Sequence, residues 1–339
     1  MIFLITLLSV LTITSDAPEF LLFGILMDFR WFLVLITGIL FFFKKQFSIQ
    51  TADLVYMIGS LMVFMIFTDR ISLALIYPVV AARLLRLNTS IIPRDLFFAS
   101  SFWIALTMFK NFSDLDTIVY LDRNYVGLTG LFLVHFNKIS RKPLMVVALT
   151  VAGAFLLSRV FILTVVLYGL LNLAAKFRKD LVVMSNAALV WSLAIMTTAS
   201  FVYAVNVNYN LYEFESTNDA TRLLTVYDAS NLNRLEALTK FVDYSFANST
   251  NFLKPVDATN YLNVYEAGTA PHNTLMQIQY NLGFPLLLMY LYYVISMFRG
   301  VRGSLIVLLT FIPCLTFLGG VLYGPTLIFF ALALQYRSE

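Results

Sequence analysis

The sequence predicts an all-α fold, a polytopic bundle of about twelve membrane-spanning helices with both termini in the cytoplasm and one long periplasmic loop. Three observations predict it. Of 339 residues, 60% are hydrophobic and 12% charged, where a soluble domain carries about 25% charged residues. The mean hydropathy is +0.82, and the shortage of charge runs along the whole chain, which argues against a soluble domain with one anchor. The basic residues fall in short clusters between apolar runs, all on one side if every span alternates. Residues 1–339 therefore read as a single integral-membrane domain, in which 206–273 form the long polar stretch.

In chain order, Ile2 to Thr14 is apolar but short and has no basic stretch before it, so a retained first helix is expected rather than a cleaved signal peptide. Ser15 to Asp28 mixes Asp16, Pro18 and Glu19 with apolar residues, which fits a short outer loop with an interfacial helix or the opening of the second span. Arg30 precedes Trp31 to Phe43, and this run stops at Lys44-Lys45. A mid-bilayer arginine costs roughly 2.5–3.5 kcal/mol, so Arg30 is expected at the outer edge. Further spans are expected at Ala52–Phe67, Ile71–Leu87, Leu96–Phe109, Val126–His135, Leu144–Leu157, Val160–Ala175, Leu181–Val205, Leu275–Phe298, Ser304–Leu318 and Pro325–Leu334. Alternation puts Lys44-Lys45, Arg83/Arg86, Lys138/Arg141/Lys142, Lys176/Arg178/Lys179, Arg299/Arg302 and Arg337 on the cytoplasmic side. The opposite side receives Asn111–Asn124, a tight Ser158-Arg159 turn and the long loop. Arg70 and Lys110 are outer-side exceptions, each with an aspartate close by.

Several function classes drop out at this stage. A formal charge of +4 and a pI near 9.0 could suit nucleic acid, but the clustering follows the positive-inside pattern, so no nucleic-acid partner is expected. Cys314 is the single cysteine and excludes an internal disulfide. With His135 and His272 it cannot make a histidine/cysteine metal cluster, and no metal is expected. Asp114-Leu115-Asp116 has the Asp-x-Asp form that binds divalent ions in sugar-nucleotide enzymes, yet it falls in an outer loop, where nucleotide sugars are scarce.

The long loop is net acidic, and Ser230 is expected to N-cap a helix from Asn231 to about Phe246, with Leu232, Leu235, Leu238 and Val242 on its buried stripe and Arg234 in its first turn. Four outer-side features could carry chemistry. Arg159 at a hairpin tip is either a snorkelling side chain or a planar fork aimed at a phosphate. Arg222 and Arg234 either pair with loop carboxylates or clamp an anion. His272-Asn273 ends the loop just before a span, and histidine has the near-neutral pKa of a general base as well as a common structural role at helix starts. Asp122-Arg123-Asn124 opens another span. The loop tyrosines Tyr209, Tyr212, Tyr227, Tyr244, Tyr261 and Tyr265 serve equally as sugar-stacking surfaces or as packing.

Ser158-Arg159 at a hairpin tip, Ser230-Asn231-Leu232-Asn233-Arg234 in an outer loop, and His272-Asn273 followed nine residues later by Gly283 together resemble the O-antigen polymerase/ligase superfamily. These are integral-membrane glycosyltransferases of the GT-C type. The resemblance covers about Arg123 to Phe298. The family often continues Gly-x-x-Gly, whereas Gly283 here precedes Phe284, Pro285 and Leu286, which removes one of two small residues that close helix packing would use.

The resemblance implies a polyprenyl-diphosphate-linked glycan as donor and a sugar hydroxyl as acceptor, with His272 as general base and Arg159, Arg234 and Arg222 on the diphosphate. It implies substrate contacts from Arg123, Asn124, Asn273 and Arg30, inversion at the anomeric carbon and no cofactor. Partners would be donor and acceptor glycans, membrane lipids and a chain-length regulator protein. The implied activity is polymerisation of O-antigen or capsular repeat units at the periplasmic face of the bacterial inner membrane. The alternative within the family is an O-antigen ligase delivering glycan to lipid A-core or protein. A flippase or permease is the non-enzyme alternative, disfavoured because transporters usually place ionisable groups at mid-bilayer. If no metal takes part, EDTA leaves the rate of glycan extension by purified protein unchanged, and strong inhibition would instead assign a role to Asp114 and Asp116.

Overall fold

The computed structural model describes residues 19–22, 25–28, 33–39, 49–67, 75–86, 147, 151, 159–177, 191, 195, 229–256, 273–298, 301, 304–317, 326–328, 330 and 331. Among these the protein is helical except for one antiparallel hairpin, β1 (Glu19–Leu22) with β2 (Ile25–Asp28), in the register Glu19↔Asp28 and Leu22↔Ile25. The interfacial helix or span opening expected here is corrected to this hairpin, while the all-α class holds for the other elements among the described residues.

Helix α1 (Thr51–Phe67) begins one residue from its expected start. Gln50 is its N-cap residue, since its carbonyl accepts from Asp53 N and Leu54 N, and the Asp53 carboxylate takes the Gln50 N–H in return. That is one arm of a capping box. The helix turns polar and aromatic residues inwards, with Asp53, Tyr56 and Ser60 all buried, and aliphatic ones outwards. Val55, Met62, Met65 and Ile66 are each more than 60% exposed. A water-soluble helix buries its aliphatic stripe instead.

Helix α2 (Tyr77–Arg86) is shorter than the expected 71–87 and is described from residue 75. Its last turn carries Arg83 and Arg86, and both reach back to Asp53. Arg86 Nη1 lies 2.8 Å and Arg83 Nη2 3.5 Å from Asp53 Oδ2, and the carboxylate is fully buried. The third helix at this corner is α6 (Thr274–Phe298), whose Tyr293 donates its hydroxyl to Asp53 Oδ1 at 2.5 Å and stacks on Tyr56 with centroids 4.4 Å apart. Gly59, one turn further along α1, lies against Met289. Residue numbers rise on α1 as they fall on α6 across these contacts, so these two helices run antiparallel.

Helix α3 (Arg159–Phe177) leaves Leu163, Leu170, Leu173 and Phe177 more than half exposed, like the aliphatic side of α1. The polar segment supplies α4 (Ala229–Ala247) and α5 (Ser249–Leu253), and α6 spans Thr274–Phe298. The expected span 304–318 is corrected to two short helices, α7 (Ser304–Thr310) and α8 (Ile312–Phe317), separated by a turn at Phe311. Pro313 is the physical reason, because it has no N–H to donate and disfavours helical backbone in the residue before it. Thr164 on α3 meets Cys314 on α8 at 3.3 Å and Tyr168 packs on Ile306 of α7, again antiparallel. Residues 326–328, 330 and 331 are helical, and Phe330 meets Phe311 edge-on at 4.7 Å.

One helix among the described residues, α6, is long and apolar enough to cross a membrane, and α1 and α3 are shorter apolar helices. Asp53→Ala removes the buried counter-charge shared by Arg83 and Arg86, and because the Arg86 side chain is 32% exposed the cost falls below the ~3–5 kcal/mol of a fully buried pair. Thermal unfolding in detergent is expected to show a clearly lowered midpoint, and an unchanged one would contradict the importance of this corner.

Candidate active site

The polar segment meets the apolar helices at α6. This helix starts from Asn273, which is 1% exposed. Asn273 Oδ1 accepts from Leu275 N at 3.0 Å and from Met276 N at 3.2 Å, and its carbonyl accepts from Gln277 N. It is thus an N-cap, which satisfies donors that the first helical turn leaves without partners. Ten residues later α6 breaks. Gly283 has φ 76° and ψ 165°, a conformation that residues with a Cβ rarely adopt. Pro285 follows inside the helix and removes a further donor.

The chain just after α5 fills this break. A Cβ on Gly283 would collide with the Leu253 carbonyl oxygen and come within 3.0 Å of Lys254 C and Pro255 N. Val256 N donates to the Tyr280 carbonyl at 2.9 Å. Close packing at Gly283 is therefore present without a second small residue, because the partner is loop backbone and not another helix. Phe252 meets Phe284 at a tilt of 36° with centroids 4.5 Å apart, and Phe241 meets Tyr280 edge-on at 5.8 Å, with Tyr244, Val256 and Met276 packed around this second pair.

Helix α4 begins one residue before Ser230, so Ser230 lies in the first turn and not at the cap, and Arg234 lies in the second turn. Its buried stripe runs through Ala237, Leu238, Phe241 and Ser245. It holds the expected Leu238 but passes through Phe241 rather than the half-buried Val242. Lys240 pairs with Glu236 at 2.7 Å, an ordinary i, i+4 surface pair. Asn251 Nδ2 donates to the Tyr244 carbonyl, and Phe246 meets Phe252, so α5 folds back on the end of α4. Helix α4 meets α6 through Phe241 on Tyr280, and Phe246 at its end is linked to Phe284 only through Phe252 of α5.

Arg159 is the first residue of α3 and is half-buried, at a helix end as the sequence requires. Arg30, Arg123, Asn124, Arg222 and His272 lie outside the described residues, as do Asp114, Asp116 and the other histidine, His135. No group of acidic, histidine or cysteine side chains suited to a metal occurs among the described residues. Sequence reasoning missed two features. Asp53, the acceptor of the Arg83/Arg86/Tyr293 cluster, announced itself only as an acidic residue in the first turn of a span. The Phe246/Phe252/Phe284 chain, which joins the polar segment to α6, had no sequence signal beyond abundant phenylalanine.

Comparison with models of known families, with curated proteins and with solved structures finds no match. Gly283→Ala forces a strained backbone and a collision with residues 253–255. It is expected to cost at least about 1–3 kcal/mol and to expose the 253–256 strand to limited proteolysis in detergent. Wild-type stability and protection would contradict the docking described.

Proposed function

We propose that the protein is a membrane glycosyltransferase that polymerises polyprenyl-diphosphate-linked oligosaccharide repeat units of an O-antigen or capsule. It would work as a multi-pass protein of the bacterial inner membrane, with its site facing the periplasm. The observation that carries this reading is that Asn273 and Gly283, the described residues of the His-Asn-x9-Gly element, bound one physical unit. Asn273 caps a short helix and Gly283 ends it, and the end of the polar segment is bonded across the break. His272 is the residue before that cap in sequence.

In this reading the acceptor hydroxyl attacks the anomeric carbon of the donor, and its proton passes to the His272 imidazole. The bond from the anomeric carbon to the diphosphate oxygen breaks with inversion, and the leaving polyprenyl diphosphate is stabilised by Arg159, Arg234 and Arg222. Arg123, Asn124, Asn273 and Arg30 contact the sugars. Since the Asn273 carboxamide oxygen serves the helix, only its N–H donors are suited to orient the imidazole or a sugar hydroxyl. The half-buried guanidinium at the start of α3 and the Arg234 backbone on the helix that packs against Tyr280 both fit the arrangement.

The flippase reading gains one observation, the buried Asp53 with its two arginines. That carboxylate belongs to the first turn of α1 and its partners to the last turn of α2, so the charges cluster at helix ends and not at mid-span. A structural clasp fits that position better than a transport pathway does. The antiparallel pairs α1/α6 and α3/α7 favour spans that alternate in direction, with the Asp53 corner cytoplasmic and the Gly283 break towards the periplasm.

The test is complementation of a strain lacking the protein. His272→Ala is expected to leave single-repeat glycan on the lipid core, with extension reduced by about 10²–10⁴-fold at normal protein level. Arg159→Lys is expected to impair extension despite its retained charge, because the bidentate fork is lost. Normal chain length in the histidine variant would remove the base assignment. Long chains stranded on the lipid carrier in the deletion strain would indicate a ligase instead.

A further inference from the structure

The elbow between α4 and α5 forms an open cleft of about 420 Å³, lined by Ser245, Phe246, Asn248, Ser249, Phe252 and Leu253. That volume is within the range of small-molecule sites, about 300–1,000 Å³. The wall combines two aromatic rings with two hydroxyls and a carboxamide. The rings are held on a packed base, since Phe246 meets Phe252 at 5.8 Å and Phe252 meets Phe284 of α6 at 4.5 Å. Phe246 is nevertheless 75% exposed, so a large apolar face stands in the polar segment with its lower edge anchored and its outer face uncovered.

The polar groups are arranged for a ligand rich in hydroxyls. Asn248 Oδ1 is committed to the Thr250 N–H at the start of α5, so its amide donors are the part of the carboxamide left for a ligand. Ser249 is exposed beside it. Ser245 is 3% exposed and its Oγ has no hydrogen-bond partner within the protein. A buried hydroxyl without a partner costs free energy that a bound hydroxyl or its water recovers.

We propose that this cleft is a glycan subsite, in which a pyranose ring of the oligosaccharide lies on Phe246 and its hydroxyls bond Asn248, Ser249 and Ser245. The inference rests on the glycosyl-transfer reading and deepens it, because the cleft belongs to the same 245–256 segment that seals the Gly283 break. A sugar presents an apolar C–H face and a hydroxylated rim, which matches an aromatic floor edged by short polar side chains. An acyl chain would leave those polar side chains without partners. Sugars beyond the reacting one would lie here, and the subsite would set affinity for the glycan without taking part in bond breaking.

The experiment uses the full-length protein in nanodiscs and the host's repeat oligosaccharide, freed from its lipid carrier by mild acid, titrated by saturation-transfer NMR. Wild type is expected to bind saturably. Phe246→Leu, which keeps apolar bulk but loses the flat ring, is expected to bind at least tenfold more weakly at an unchanged unfolding midpoint, and Phe246→Tyr to bind as wild type does. In turnover, Phe246→Leu raises KM for lipid-linked glycan with little change in kcat. Absence of saturable binding to wild type, or equal binding by Phe246→Leu, overturns the subsite. His272→Ala keeps the two failures apart. It is expected to bind the oligosaccharide normally while losing extension; undiminished extension in that variant removes the base assignment, whereas absence of extension by wild type overturns the transfer reading, and either leaves the binding result standing.

Discussion

The contact between the backbone of residues 253–256 and the break in α6 at Gly283 is the constraint on which the rest depends. A helix interrupted in apolar surroundings frees peptide groups that nothing there can satisfy, and each costs free energy if left alone. Here the Tyr280 carbonyl is bonded by Val256 N, and the absent side chain at Gly283 leaves room for the Leu253–Pro255 backbone. The break and the loop therefore explain each other. The 25 residues of α6 pass as a span by length, but 284–298 alone reach only about 22 Å, short of a hydrocarbon core of about 30 Å.

A second fixed point lies at the opposite end of α6. Tyr293 hydrogen-bonds the buried Asp53 carboxylate, which also holds Arg86 and Arg83 of α2. Helix α6 is thus pinned near its two ends by different chemistry, peptide hydrogen bonds at one and a charged cluster at the other. Such an arrangement holds the capped Asn273 turn in a set position relative to α1 and α2. Preorganisation of this kind is what a transferase needs when charge develops on a leaving diphosphate.

Helices that are continuous apolar runs were legible in the sequence. The starts of α1, α3 and α6 lie within one residue of expectation, and α4 was found inside a polar segment by its cap-like serine and its leucine spacing. Tertiary facts were not legible. Arg83 and Arg86 read as a topology signal because nothing local says that Asp53, some thirty residues earlier, lies opposite them. The break at Phe311 did have a local signal, Pro313, which mean hydropathy obscures. At the candidate site, Asn273 and Gly283 were visible as a motif, but their work as cap and backbone cradle required coordinates. Phe246 carried no distinguishing mark, since a phenylalanine that faces water looks the same in sequence as one that faces lipid.

The central claim is that one imidazole and separate guanidinium groups, distant in sequence, address a single diphosphate-linked sugar. Photo-cross-linking of the membrane-embedded protein with a polyprenyl-diphosphate glycan analogue, carrying its photoreactive group on the diphosphate, tests it most directly. The account predicts adducts on the peptides that contain Arg159, Arg234 and His272, all suppressed together by unlabelled donor. Adducts confined to the Asp53–Arg83–Arg86 corner, or to one of the three peptides without the others, would contradict it.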